Sequence, residues 1–211
     1  MNRLTVAMAK GRTATMALEL LARVGIEFSS YSEASRKLVF TDDTNTVILI
    51  FVKSVDVPTY VENGAADIGI IGKDVLLEEQ KEVYELLDLG ISKCKLAVAG
   101  FPDKQLMESS RLTVASKYPN VAKAHFDKKG IRTEIIKLNG SIELAPLIGM
   151  SDVIVDIVES GKTLKENGLV ILEDIAESSA RLIVNKASFA IKTEQIQEFI
   201  AKVKRGVEVS A

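Results

Sequence analysis

The residues Val153 to Leu169, VIVDIVESGKTLKENGL, read as an apolar strand that stops at an acid, turns through Ser-Gly-Lys-Thr and runs into good helix formers. Gly161-Lys162-Thr163 is also how a nucleotide P-loop ends. That wrap needs another glycine five residues before the Gly-Lys pair. Asp156 stands there instead, and its side chain would obstruct a tight turn around phosphate. What survives is more general chemistry: a strand end, a turn of small residues and the positive end of a helix. The amides of Glu159, Ser160, Gly161, Lys162 and Thr163 can converge on one phosphate, with the hydroxyls of Ser160 and Thr163 as further donors. Asp156, with Ile157 and Val158 finishing the strand, can accept from the hydroxyls of an attached sugar. An acid followed by a phosphate-holding turn suits a ribose 5-phosphate. The plain alternative is an ordinary strand-to-helix turn capped by Ser160.

Two other stretches offer anion chemistry. In MAKGRTA (8–14), Lys10 and Arg12 flank Gly11 between a strand end and a helix start. Two cations on a flexible backbone can clasp a di- or triphosphate, unless they are merely solvated charges at a turn. ASRKL (34–38) places Arg36 and Lys37 just before a strand, which alone is only surface charge. In DVPTYVENGAADIGIIGKDVL (56–76), Gly69 and Gly72 let a ligand approach the main chain of a buried strand. Asp67 and Asp74 lie at either end of that strand, and the helix opening near Lys73 offers another anion cup. Simple packing around the glycines is the alternative there.

Composition removes several classes. The 27 basic and 29 acidic residues give a formal charge of −2, with no excess of cations to displace counterions from nucleic acid. His125 is the single histidine, which excludes a multi-histidine metal site and weighs against a Ser-His-Asp triad. It sits on an apolar-spaced helix and reads as structural or surface. Cys94, the single cysteine, excludes an internal disulfide, fits a reducing compartment and reads as buried packing. Near the start, Arg3 and Lys10 bracket an apolar run too short for a signal-peptide core, and no uncharged run reaches 18 residues. A cytoplasmic protein without a membrane span is expected.

These residues need elements to position them. Strands are predicted at 4–9, 37–40, 46–52, 66–72, 83–90, 94–100, 111–116, 132–138, 152–158, 169–175 and 181–189. The pair 37–40 and 46–52 is joined as a hairpin. Helices are predicted at 13–25, after Asp56 with Pro58 in the first turn, at 73–80, 119–129, 142–149 and 193–204. The alternation implies an α/β protein of two lobes that share strands. The first lobe is 1–91 plus 181–211, the second 92–180, and the late strand RLIVN returns the chain to the first.

The run ELAPLIGMSDVIVDIVESGKTL, Glu143 to Leu164, resembles the signature of ATP phosphoribosyltransferase, the first enzyme of histidine biosynthesis. The pattern is a glutamate, five residues, a glycine, a small residue, an apolar strand ending in Asp, then Ser-Gly-x-Thr-Leu. Lys10-Gly11-Arg12, Glu33-Ala-Ser-Arg36-Lys37 and Asp56-Val-Pro-Thr-Tyr60 through Gly-Ala-Ala-Asp67 resemble the family as well, so the likeness covers the whole chain.

The resemblance implies a fold like the type II periplasmic-binding proteins, two lobes with mixed sheets and the active site in the cleft between them. It implies transfer of the phosphoribosyl group of phosphoribosyl pyrophosphate to N1 of ATP, releasing pyrophosphate, with Mg²⁺ carried mainly on that pyrophosphate and no protein metal site. The chain stops at Ala211, where a longer form of the family adds a regulatory domain. The short form is therefore expected, working in a hetero-octamer with a regulatory subunit resembling histidyl-tRNA synthetase. In this scheme Asp156 to Thr163 hold the ribose and its 5-phosphate. Arg12 and Arg36, assisted by Lys10, neutralise the leaving pyrophosphate, while Gly11, Asp67, Gly72, Asp74 and Glu143 face ATP. The rivals are a cytosolic two-lobe solute-binding module and another kind of phosphoribosyltransferase, which usually carries paired acids where this chain has Asp156-Ile157.

Overall fold

The computed structural model describes residues 3–106 and 111–209. The chain forms two compact units, Met1–Ser92 with Ser179–Ala211, and Lys93–Ser178. The junctions fall at 92/93 and 178/179 rather than at 91/92 and 180/181. Ser179 and Ala180 belong to the first unit because Lys73 donates its amide to the Ser179 carbonyl at 3.0 Å and Ala180 pairs with Gly72. Among the described residues no strand serves both sheets, so the expected sharing of strands is replaced by two chain crossings.

The sheet of the first unit is built from β1 (Leu4–Met8), β2 (Val39–Thr41), β3 (Val47–Phe51), β4 (Ile68–Gly72), β5 (Val83–Asp88) and β11 (Ala180–Asn185). These six strands lie in the order β2-β3-β1-β4-β11-β5. β1 runs parallel to β3 and β4, whereas β2 and β11 are antiparallel to their neighbours. Alternation along β1 sends Leu4, Val6 and Met8 into a core with helices α1 (Arg12–Arg23) and α8 (Thr193–Glu208). Ala7 faces the other side with Val57 and Val61 of α2 (Val57–Glu62) and Val75 of α3 (Lys73–Glu79). α1 buries Ala14, Ala17, Leu20 and Leu21, and α8 buries Ile196, Phe199 and Val203, each an apolar stripe at helical spacing.

The β2–β3 hairpin turns on Asp42, whose Oδ1 accepts from the Thr46 and Val47 amides at 2.7 Å. Burial works to raise the Asp42 carboxyl, yet the bonds from Thr44, Val47 and Thr46 together hold it below the ordinary aspartate range. The strand expected at 181–189 stops at Asn185, because the Asn185 side chain accepts from the Ser188 amide at 2.7 Å and caps helix α7 (Lys186–Ile191). Asp56 ends a 3₁₀ turn and makes no side-chain cap for α2.

The sheet of the second unit is built from β6 (Cys94–Gly100), β7 (Leu112–Ser116), β8 (Thr133–Lys137), β9 (Val153–Val158) and β10 (Val170–Ser178). These five strands lie in the order β10-β6-β9-β7-β8. β7, β8 and β9 are mutually parallel, and β6 is antiparallel to both β9 and β10. Ile154 and Val158 of β9 pack toward α5 (Leu144–Leu147) and α6 (Lys162–Glu166), while Val153 and Val155 pack toward Phe126 of α4 (Pro119–Lys128).

Candidate functional site

The turn after β9 is built by strand alternation and one anchor. Asp156 shares the face of Ile154 and Val158 and is half-buried between them, with Oδ1 accepting the Ile157 amide at 2.8 Å. Gly161 takes φ 70° and ψ 4°, the left-handed region that a side chain makes costly, and its carbonyl accepts the Lys165 amide at 3.0 Å to open α6. The amides of a helix's first turn have no intrahelical acceptor, so they project from the turn as donors. Ser160 Oγ meets the Lys162 amide only at a long 3.4 Å, and Leu164, 6 % exposed, pins the start of the helix in the core. Asp156, Glu159, Ser160, Gly161, Lys162 and Thr163 therefore form one open bend of hydroxyl and amide donors beside a carboxylate. Glu143 stands in the same unit at the start of α5, also half-buried.

In the first unit β1, β3 and β4 run parallel, so their C-terminal ends share one sheet edge, the edge at which open α/β sheets hold ligands. Lys10, Gly11 and Arg12 follow β1 there, Gly72 ends β4 and Asp74 lies in the first turn of α3. Gly11 has φ 117° and ψ −166°, open essentially to glycine alone, and a Cβ built on it meets nothing within 4 Å. The requirement is thus torsional, and the bend stays accessible. The Phe51 amide donates to the Leu38 carbonyl at 2.8 Å, which brings the segment bearing Arg36 to this edge. Lys10 Nζ donates to the Ser35 carbonyl and lies 5.7 Å from the centre of the Phe51 ring. Lys10, Gly11, Arg12, Arg36, Gly72 and Asp74 are thereby gathered, although they are far apart in sequence.

Asp67 is not among them. It precedes β4 and sits at the opposite edge, 5 % exposed, accepting from the Thr5 amide at 2.9 Å, Lys192 Nζ at 2.8 Å and Ser188 Oγ at 2.7 Å. Its carboxylate ties β1, β4, α7 and the start of α8 together, which corrects the expectation that it faces ATP. Gly69 is also a packing residue, since a Cβ there would come within 2.8 Å of Val61 Cγ2 and 2.9 Å of Ile183 Cγ1. At Gly72 the space a side chain would need is filled by the Asp74 carboxylate, which is buried in the first turn of α3. His125 pairs with Glu173 at 3.3 Å, as befits a structural residue. Burial works to raise the Glu173 carboxyl, but the bonds from Lys129 and His125 hold it below the usual glutamate range. Cys94 is half-buried rather than buried. Sequence reasoning missed the aromatic group beneath Lys10, in which the Tyr31 ring stacks on Phe51 at 5.2 Å and meets Phe40 edge-on at 5.3 Å. Its members come from three separate stretches, so no local pattern announces it.

Residues 53–205 match the family described as HisG: ATP phosphoribosyltransferase. This chain belongs to that family. The ATP phosphoribosyltransferase of Oceanobacillus iheyensis is 53 % identical over 203 residues, covering 96 % of this chain and 98 % of the relative. Among solved structures, the ATP phosphoribosyl transferase (HisG:HisZ) complex from Thermotoga maritima has a chain that matches with a TM-score of 0.86 at 35 % identity, covering 97 % of this chain and 98 % of its own. A mutant ArgBP from T. maritima shares the fold alone, with a TM-score of 0.59 at 15 % identity over 99 % of this chain and 90 % of its own. The two-lobed α/β fold expected from the resemblance is the one observed. The chain is thus an enzyme of the ATP phosphoribosyltransferase family, a transferase of the first step of histidine biosynthesis. The family match spans Gly72, Asp74, Glu143 and the bend at 156–163. Lys10, Arg12 and Arg36 lie before it, within the longer stretch shared with the O. iheyensis relative.

Proposed function

We propose that this chain transfers the 5-phosphoribosyl group of phosphoribosyl pyrophosphate to N1 of ATP. The observation that carries the reading is the agreement, over nearly the whole of both chains, with a protein named for that reaction. The adenine N1 lone pair forms the new bond to C1′, and the C1′–O bond breaks with its electron pair leaving on pyrophosphate. N1 is a weak nucleophile, so the old bond breaks well ahead of attack, and negative charge builds on the leaving group as the sugar turns cationic. Fixed cations at that group therefore lower the barrier more than they improve binding. Arg12 and Arg36 fill this role, with Lys10 nearby. The donors of Glu159 to Thr163 take the 5-phosphate, and Asp156 takes the ribose hydroxyls. Gly11, Gly72, Asp74 and Glu143 are assigned to the ATP side, and Asp67 is left out because its oxygens are engaged within the fold.

Mg²⁺ fits as an ion held by substrate phosphates, where it would neutralise pyrophosphate charge. Among the described residues no three His, Cys, Asp or Glu side chains gather where they could hold a metal ion. The related T. maritima protein is a HisG:HisZ complex, which supports a regulatory partner subunit for this chain, and a hetero-octamer built with it, in the short form of the family. Among the described residues no helix is long and apolar enough to cross a membrane, and we place the reaction in the cytoplasm. The decisive experiment supplies both substrates, with and without the partner, and follows pyrophosphate. Release that requires ATP, and that adenine cannot replace, is expected. Absence of pyrophosphate under both conditions would reject the reading.

A further inference from the structure

Arg36 lies on a stretch with little structure of its own. The stretch is held at one end by Tyr31, whose amide donates to the Phe28 carbonyl at 2.8 Å and whose ring stacks on Phe51. It is held at the other end by the bond between the Phe51 amide and the Leu38 carbonyl. Between these anchors the chain bonds mostly to itself: the Ser35 amide to the Ser32 carbonyl at 2.9 Å, and the Lys37 amide to Ser35 Oγ at 3.2 Å. Lys37 reaches the Phe40 ring just beyond, with Nζ 5.3 Å from its centre. A free stretch of six residues can span about 20 Å, so its end anchors alone do not fix a guanidinium in its middle.

Lys10 supplies the missing tie. Its ammonium donates to the carbonyl of Ser35, the residue before Arg36, and lies over the Phe51 ring. The ring contact follows from register: Met8 of β1 pairs with Phe51 of β3, so the residue two beyond Met8 emerges beside that ring. We propose that Lys10 is a positioning residue whose ammonium, lodged between the Ser35 carbonyl and the Phe51 ring, fixes the 32–38 stretch and so sets where the Arg36 guanidinium sits. Its catalytic consequence rests on the reading that Arg36 receives the leaving pyrophosphate; the strut itself does not.

The test uses the full chain. Trypsin cuts after Arg36 and Lys37, and the cutting rate reports how often the stretch leaves its seat. Lys10→Met is expected to raise cleavage there about tenfold, the scale of losing one charge-assisted hydrogen bond, with cleavage elsewhere unchanged. Lys10→Arg, which keeps the donor and the cation over the ring, should restore protection. Cleavage that does not change, or that rises equally at all sites, overturns the proposal whatever Arg36 does. In turnover, Lys10→Met should lower kcat in the native enzyme but by less than about twofold when Arg36 is already alanine, because the strut then has nothing to place. Effects that multiply instead show Lys10 acting on pyrophosphate directly and overturn the proposal. Selective cleavage together with near-normal kcat in Arg36→Ala supports the strut while removing Arg36 from the chemistry.

Discussion

Two bends in this enzyme have the same plan and opposite chemistry. The one at Gly11 and the one at Gly161 each follow a strand with a parallel neighbour, pass through a glycine at positive φ and open a helix. At Gly161 the donors are main-chain amides and small hydroxyls, fixed by a short helix whose Leu164 is seated in the core. At Gly11 they are cationic side chains, Arg12 joined by Arg36 from a separate stretch whose Ser35 carbonyl accepts from Lys10. In the proposed reaction, fixed neutral donors would hold a phosphate whose charge stays constant, so they would act mainly on binding. Cations answer charge that grows in the transition state, so they act mainly on rate.

That contrast can be broken by substitution. Arg36→Ala should show the largest effect, about a hundredfold loss of kcat, or roughly 3 kcal/mol, with KM for phosphoribosyl pyrophosphate changed only a few-fold. A near-normal kcat in steady-state assays would erase the distinction between the bends. Asp156→Asn keeps the shape but removes the charged acceptor for the ribose hydroxyls. A loss of about tenfold in kcat/KM is expected from one such bond, and an unchanged value removes Asp156 from the site. Gly161→Ala strains the left-handed turn by about 1 kcal/mol, which should appear as a roughly fivefold rise in KM for phosphoribosyl pyrophosphate with kcat nearly intact. A loss confined to kcat would instead place the bend among the rate-determining groups. Lys162→Met should matter least, less than about twofold in either constant, because its side chain is 79 % exposed and its role is that of a backbone donor. A large effect there would mean that the second bend also works through side-chain charge.

The two bends are also unequally legible in the order of residues. Asp156 and the residues to Thr163 form a single contiguous motif, so their arrangement follows from a strand end and a glycine turn a few residues long. Asp67 and Asp74 look equivalent there, as acids at the two ends of one strand. They differ because β4 is parallel to β1: its C-terminal end joins the Lys10 edge, while its N-terminal end meets Thr5, Ser188 and Lys192 on the far side. Helix α7 escapes the strand reading of 181–189 because its apolar residues resemble a strand's, and the Asn185 cap is a contact rather than a composition.

By itself, then, the sequence determined the chemical groups at each bend, the alternation of elements and the membership of a transferase family, since these depend on neighbours within a turn or two or on matching positions in order. Tertiary structure decided which distant residues share an edge: Lys10 with Ser35 and Phe51, and Asp67 with Lys192. Such pairings follow from strand register and direction, which are settled by burying both faces of a sheet at once and leave no local trace in the chain.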